Sequence, residues 1–226
     1  MITALHRWYS DRARLRRGRL FQERLRPTPD DTILDLGGGD GSHIAALCDW
    51  TKNITVADAS APDLAAAERH GFAVSLLDGT KTLPFADKSF DIVFCNSVIE
   101  HVTGDKDVVR TWTDGAAFVR QADGLQAQFA AEIDRVGKAY FVQTPYRHFP
   151  VESHTWTPIV LESLPRGVRL RVHRMLRDSR WWPRHVTNVD WRLLTIRDMK
   201  RMFPRAEIVT ERSFGLVKSL IAVKAR

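Results

Sequence analysis

Cysteine is almost missing from this chain, and so is any long apolar run. Only Cys48 and Cys95 occur among 226 residues. Both fall inside stretches patterned as core elements. That reads as two buried free thiols rather than a disulfide, and it fits a reducing cytoplasm. No apolar stretch approaches the roughly 20 residues of a membrane span. The opening segment, MITALHRWYSDRARLRRGRL, lacks the continuous apolar core of a secretory signal. It is rich in arginine, but Asp11 and the nearby start of the fold argue against an organelle transit peptide. No internal repeat or low-complexity linker interrupts the sequence. With 44% hydrophobic residues, the length allows one sizeable core, so one domain with elaborations is expected.

Charge is present in quantity, but it is segregated. The net charge of +7 combines a basic block over residues 1–26 (+6), an acidic block over 27–164 (−10) and a second basic block over 165–226 (+11). A solvated basic face accounts for the flanking blocks most simply. An anionic acceptor, a membrane surface or nucleic acid are the functional readings.

Residues 11–26 pattern as a basic amphipathic helix with Leu15, Leu20, Phe21 and Leu25 as apolar positions, stopped by Pro27 and Pro29. Short apolar runs then alternate with helical segments. Strands are expected at 32–36, 54–58, 72–78, 90–97 and 139–144, and helices at 42–50, 62–70 and 126–136. Such alternation indicates a parallel sheet with helices on both faces. Residues 145–194 break the pattern, crowding prolines, tryptophans and arginines. A helix at 195–203 and two β runs, 206–214 and 218–225, follow. Gly215 between the runs forces an antiparallel hairpin. The expected fold is therefore α/β and Rossmann-like, a seven-stranded mostly parallel sheet closing in an antiparallel hairpin. A basic helical arm (1–31) precedes the main domain (32–226), and 145–194 forms a cap on its substrate side.

The densest signal is TILDLGGGDGSH, residues 32–43, a glycine loop placed where the first strand turns into a helix. Gly37 and Gly39 occupy the first two positions of a dinucleotide fingerprint, but Ser42 stands in the third. Asp35 and Asp40 add carboxylates. Negative charge fits a diphosphate poorly and suits a cationic ligand carrying an amino group and a sulfonium. Asp58 ends the second strand, where a carboxylate can take both hydroxyls of a ribose. Asp78 and Gly79 end the third strand, within reach of the amino edge of an adenine, and Asn96 ends the fourth. Each alone could be a turn former or a helix cap. Their recurrence at successive strand ends points to one crevice.

In order, ILDLGGGDG, VADAS, LLDGTKTLPFADKSFDIVFCNSVIEHV and EIDRVGKAYFVQTP resemble the successive motifs of class I S-adenosylmethionine-dependent methyltransferases. The branch that acts on small molecules and lipids is the nearest in pattern. The resemblance covers about residues 30–145 and returns at 195–226. It implies S-adenosylmethionine as cofactor, with Asp35, Gly37, Gly38, Gly39 and Gly41 around the methionine moiety. Asp58, with Ala59 after it, would hold the ribose, Asp78 and Gly79 would lie by the adenine, and Asn96 would complete the crevice. The chain departs from the family pattern at RVGKAY, which has one glycine where a Gly-Gly turn is usual.

Glu100 and His101 follow the fourth strand. They read either as a helix start, with Glu favoured by the dipole, or as a site where His101 is a general base. The pair also resembles metal-binding methyltransferases that act on RNA 3′ ends or quinone precursors. Those carry a further Glu where this chain has Ser97, which counts against a metal, and no metal ligand is assigned. Beyond the fifth strand, QTPYRHFPVESHTWTP places Tyr146, His148, Glu152 and His154 toward the acceptor. Glu152 and His154 are two apart, so an extended segment would point both the same way. His154, backed by Glu152, is the first candidate base and His101 the second.

The segment PRGVRLRVHRMLRDSRWWPRHVTNVDW, residues 165–194 in part, is open to three readings. It is a cap over the site, or a helix on anionic lipid with Leu170, Met175, Leu176, Trp181 and Trp182 inserted, or a nucleic-acid surface. The absence of an NPPY-type sequence after the fourth strand, and of any appended nucleic-acid module, disfavours the last. The reading is thus methyl transfer to an oxygen or nitrogen of a small-molecule, lipid or glycan-precursor acceptor by a cytoplasmic protein with room for peripheral contact with an anionic membrane. RNA methylation and a catalytically silent, cofactor-binding scaffold are the alternatives. A nicotinamide-dependent oxidoreductase is disfavoured by Ser42 and the closing hairpin.

Overall fold

The computed structural model describes residues 2–79, 82–179, 182 and 189–226, with side chains from Ala13 onward. Seven strands form one sheet: β1 (Ile33–Leu36), β2 (Ile54–Asp58), β3 (Ala73–Leu76), β4 (Phe90–Asn96), β5 (Gly137–Pro145), β6 (Glu207–Ser213) and β7 (Leu216–Lys224). Their order is β3-β2-β1-β4-β5-β7-β6. The first five pair in parallel, while β7 runs antiparallel to both β5 and β6. The chain travels outward from β1 to β3, then returns to β4 on the other side of β1. That reversal opens a crevice at the carboxyl ends of β1 and β4, the place where α/β sheets bind ligands.

Buried strands need apolar side chains on both faces, and the alternation along each strand divides them into two cores. Leu34, Leu36, Val93, Cys95, Tyr140 and Val142 face one core. Helices α5 (Gly115–Val136) and α7 (Ile196–Met202) cover that face through Ile133, Val136, Met199 and Met202. Ile33, Ile92, Phe94, Ala139 and Phe141 face the other core. There they meet α1 (Ile2–Leu25), α2 (Ser42–Leu47) and α3 (Ala61–Arg69) through Phe21, Ile44 and Leu64. Phe21 is fully buried, edge-on to Phe94 and Phe141 at 5.3 and 5.7 Å. The carboxyl half of the basic arm is thus packed into the core. Leu15, which the pattern places on the apolar stripe, is instead exposed. Both cysteines are free and buried.

Helix α5 begins eleven residues earlier than its pattern suggests. Asp114 caps it, its side chain accepting from the Ala117 N–H at 2.9 Å. Helix α7 starts in a capping box, with Thr195 and Asp198 satisfying each other's backbone N–H groups. A short helix α4 (Lys106–Val109) lies between β4 and α5, and α6 (Arg166–Asp178) lies in the cap between β5 and α7. Helix α6 turns Arg166, Arg169, His173 and Leu176 inward. Arg166 lies on the Phe118 ring at 3.5 Å and donates to the Trp112, Val109 and Val189 carbonyls. Arg169 pairs with Glu162. Of the residues a lipid reading would insert, Leu176 is buried, Leu170 is half-buried, Met175 is exposed, and Trp181 lies outside the described residues. No described helix is long and apolar enough to cross a membrane.

Candidate active site

The glycine loop follows β1 as a close-packed turn. Gly37 has φ +74°, and a Cβ there would sit 2.4 Å from Val98 Cγ2, so only glycine fits. A Cβ on Gly38 would fall 2.2 Å from Asp35 Oδ2. Asp35 lies directly beneath the loop, buried, with Oδ2 lacking a hydrogen-bond partner among the described residues. Burial, and then the neighbouring charge of Asp58, push its carboxyl up to about 7. Asp58, at the end of β2, accepts from the Gly39 N–H and the Ser60 N–H, both at 2.9 Å. Loop and ribose candidate are therefore locked together before any ligand arrives.

A cavity of 1180 Å³ opens at the strand ends. Of the candidate cofactor residues, Gly37, Asp58, Ala59, Asp78 and Gly79 line it. Asp35, Gly38, Gly39 and Gly41 are not among its lining residues, although Asp35 lies against Gly38. The Asn96 side chain turns elsewhere: its Oδ1 accepts from Arg17 Nη1 of α1 at 2.6 Å. Arg17 also donates to Gln143 Oε1 at 3.2 Å, and Ser97 Oγ donates to the same oxygen at 2.8 Å. Just past the end of β4, the cavity meets Ser97 and Val98.

The other end of the cavity holds two histidines, His101 and His154, together with Asp190 and Trp191. His101 sits on a 3-10 turn (Ile99–His101) after β4, and its Nδ1 is 2.9 Å from Asp190 Oδ1. His154 lies in a tight turn after β5, closed by the Trp156 N–H donating to the Glu152 carbonyl at 2.9 Å. Its Nδ1 is 2.5 Å from Glu152 Oε1. The expectation that Glu152 and His154 cooperate thus meets a real contact, reached by a turn rather than by an extended strand. Glu152 also accepts from the Thr155 N–H and hydroxyl, each at 2.7 Å. The His101 and His154 rings meet edge-on at 4.8 Å, and Trp191 stacks on His154 at 4.7 Å. Tyr146 and His148 pair with each other outside the cavity wall.

Electrostatics at this end are dominated by carboxylates. Burial alone would lower the pKa of His154, but the hydrogen bond and charge of Glu152, with the charges of Glu100 and Asp190, raise it above the ordinary value. Burial would raise Glu152 and Asp190, yet each is held below the usual carboxylate range by its histidine. Glu100 is fully buried behind the pair. Its Oε2 accepts from Thr144 Oγ1 at 3.0 Å, and its Oε1 has no hydrogen-bond partner. Gln126 of α5 ties the turn to the returning cap, donating to the Ile99 and Arg192 carbonyls at 3.0 Å. Asp190, Trp191, Arg17 and Gln126 carry no motif in the sequence. They reach the site from 27 to 89 residues away or from another element, so spacing gives no sign of them.

Residues 34–139 match the family described as a methyltransferase domain. That matched segment runs from β1 into the start of β5 and so contains the strand ends around the cavity. Several solved structures share the fold. A protein from Bacillus subtilis, YcgJ, is 16% identical over 93% of this chain and 99% of its own, with a TM-score of 0.52. A Methanosarcina mazei protein described as an S-adenosylmethionine-dependent methyltransferase is 15% identical over 91% and 97%, at 0.54. One from Thermotoga maritima, described as a possible histamine N-methyltransferase, is 13% identical over 99% and 96%, at 0.53. No curated protein sequence matches this chain significantly.

Proposed function

We propose that this protein is a class I S-adenosylmethionine-dependent methyltransferase, and that it methylates an oxygen or nitrogen of a small-molecule, lipid or glycan-precursor acceptor that enters beside His101, His154 and Trp191. The observation that carries the reading is one cavity of 1180 Å³ lined by Asp58 and Asp78 at one end and by the histidine pair at the other. Single-ligand pockets run to about 300–1,000 Å³. This one has room for a cofactor and an acceptor held side by side.

In the reaction, an acceptor lone pair attacks the methyl carbon in line with the carbon–sulfur bond. The bond's electron pair stays on sulfur, and the charged sulfonium becomes the neutral thioether of S-adenosylhomocysteine. Alignment supplies most of the acceleration. A hydroxyl acceptor must also lose its proton. Glu152 and Asp190 each hold one imidazole by Nδ1, which leaves the Nε2 atoms for the acceptor. His154 is the first candidate for the base and His101 the second. Trp191, flat against His154, adds an apolar wall that suits a ring or an acyl chain.

The first test is cofactor binding. Calorimetry with S-adenosylhomocysteine should give saturable heat in the wild type and none in Asp58→Ala. A folded wild-type protein that takes up no cofactor would overturn the reading. Replacing His101 and His154 together should leave cofactor binding intact while abolishing turnover. Unchanged turnover would instead place the acceptor elsewhere.

A further inference from the structure

We propose that Glu100, His101 and His154 bind one divalent first-row transition-metal ion whose remaining positions open into the cavity. One donor atom from each of the three residues lies within 4.8 Å of the others. Glu100 Oε1 and His154 Nε2 are 3.9 Å apart, too far for a hydrogen bond. Two ligands of one tetrahedral ion, at bonds of about 2.0–2.1 Å, stand roughly 3.3 Å apart. Small side-chain rotations close that gap.

Three features besides proximity point to an ion. Glu100 is fully buried, and its Oε1, aimed at His154, has no partner among the described residues. A buried carboxylate oxygen left bare is costly unless a cation or donor meets it. Each histidine, moreover, has its Nδ1 held by a carboxylate, Asp190 for His101 and Glu152 for His154. Carboxylate bracing of this kind fixes the tautomer and aims the other ring nitrogen, as it does for metal-bound histidines. The third feature is charge. Glu100, Glu152 and Asp190 crowd a pair of imidazoles, and a dication neutralises the excess.

Two imidazoles and one carboxylate suit zinc, iron, cobalt or manganese better than calcium or magnesium, which prefer all-oxygen sites. Three protein ligands leave open positions, as catalytic sites require. The inference rests on the reading that the acceptor reaches the histidine pair, and it changes the pair's task. The ion would hold an acceptor oxygen and ease loss of its proton, in place of direct removal by an imidazole. Ser97, just before the turn that carries Glu100 and His101, lines the cavity and adds no charge there.

The test uses the untagged full chain, stripped with chelator and titrated with Zn²⁺ by calorimetry and with Co²⁺ by visible absorption, without cofactor. One ion per chain is expected, with Co²⁺ giving d–d bands that report nitrogen and oxygen ligands. Glu100→Gln and His154→Ala should abolish binding. Asp190→Asn should weaken it about 10–100-fold while the fold is kept. No stoichiometric ion, or an affinity indifferent to all three substitutions, overturns the site. S-adenosylhomocysteine is titrated in parallel. Cofactor binding without an ion would refute this site and leave methyl transfer standing, whereas an ion without cofactor would refute the reverse.

Discussion

Asp35 carries an unusual load for one carboxyl group. Enclosure under Gly38, and the nearby Asp58, raise it to about 7, whereas in the unfolded chain it titrates near its ordinary 3.8. Between those values the folded protein holds a proton that the unfolded chain has released. Asp35 therefore lowers stability as pH rises across that window, by up to about 4 kcal/mol, with no further loss above it. Comparing urea midpoints of the wild type and Asp35→Asn from pH 4.5 to 7.5 should show the mutant gaining on the wild type as pH rises. A constant difference would mean that Asp35 is ionised throughout. On the proposed function, cofactor binding should shift the same group, because a sulfonium and an ammonium over the loop would favour the carboxylate. Binding near pH 6.5 should then release a proton, seen as heats that differ between buffers of different ionisation enthalpy.

Helix α1 does one thing its pattern announces and one it does not. Phe21, an expected apolar position, fills the core, while Arg17 crosses to Asn96 and Gln143 with no sign in the sequence. Through Gln143, Arg17 is linked to Ser97 on the cavity wall. Phe21→Ala should cost about 3–5 kcal/mol in chemical denaturation. Arg17→Ala should lose cofactor affinity several-fold, while Arg24→Ala, which removes only an exposed pair with Glu207, should not. Equal affinities in the two variants would detach α1 from the site. The strands were legible because β-branched and aromatic residues cluster in short runs, and the hairpin because Gly215 separates two of them. The early start of α5 was not legible, since Gly115 and Gly124 weaken the local helical signal that Asp114 and tertiary packing then restore. Half of the site was readable in the same sense. The candidate cofactor residues recur at strand ends, where topology brings Gly37, Asp58, Ala59, Asp78 and Gly79 to one cavity. Asp190 and Trp191 were opaque because their partners are remote in sequence and no periodicity joins them.

The whole molecule spends part of its basic excess internally. Arg166, Arg169 and Arg192 are buried in ion pairs and carbonyl contacts, so the charge of the last block overstates what the solvent sees. What remains outside α6 is Arg171, Arg174 and Arg177, with Val168 and Met175 exposed between them. A strip of this composition would suit anionic lipid. Sedimentation with anionic vesicles should show binding that falls as salt rises and weakens in Arg171→Glu/Arg174→Glu. Equal binding to neutral vesicles would remove the electrostatic role.

Asp190 and Trp191 are neighbours in sequence, yet they brace different histidines, one by hydrogen bond and one by stacking. They arrive on the chain only after the cofactor crevice has been built from residues 32–145. The two halves of the site thus have separate authors. A lineage could redraw all of the acceptor end but Glu100 and His101 by exchanging one late segment, leaving the crevice at the strand ends untouched. Within one molecule, the donor could be seated while the acceptor end is still being assembled.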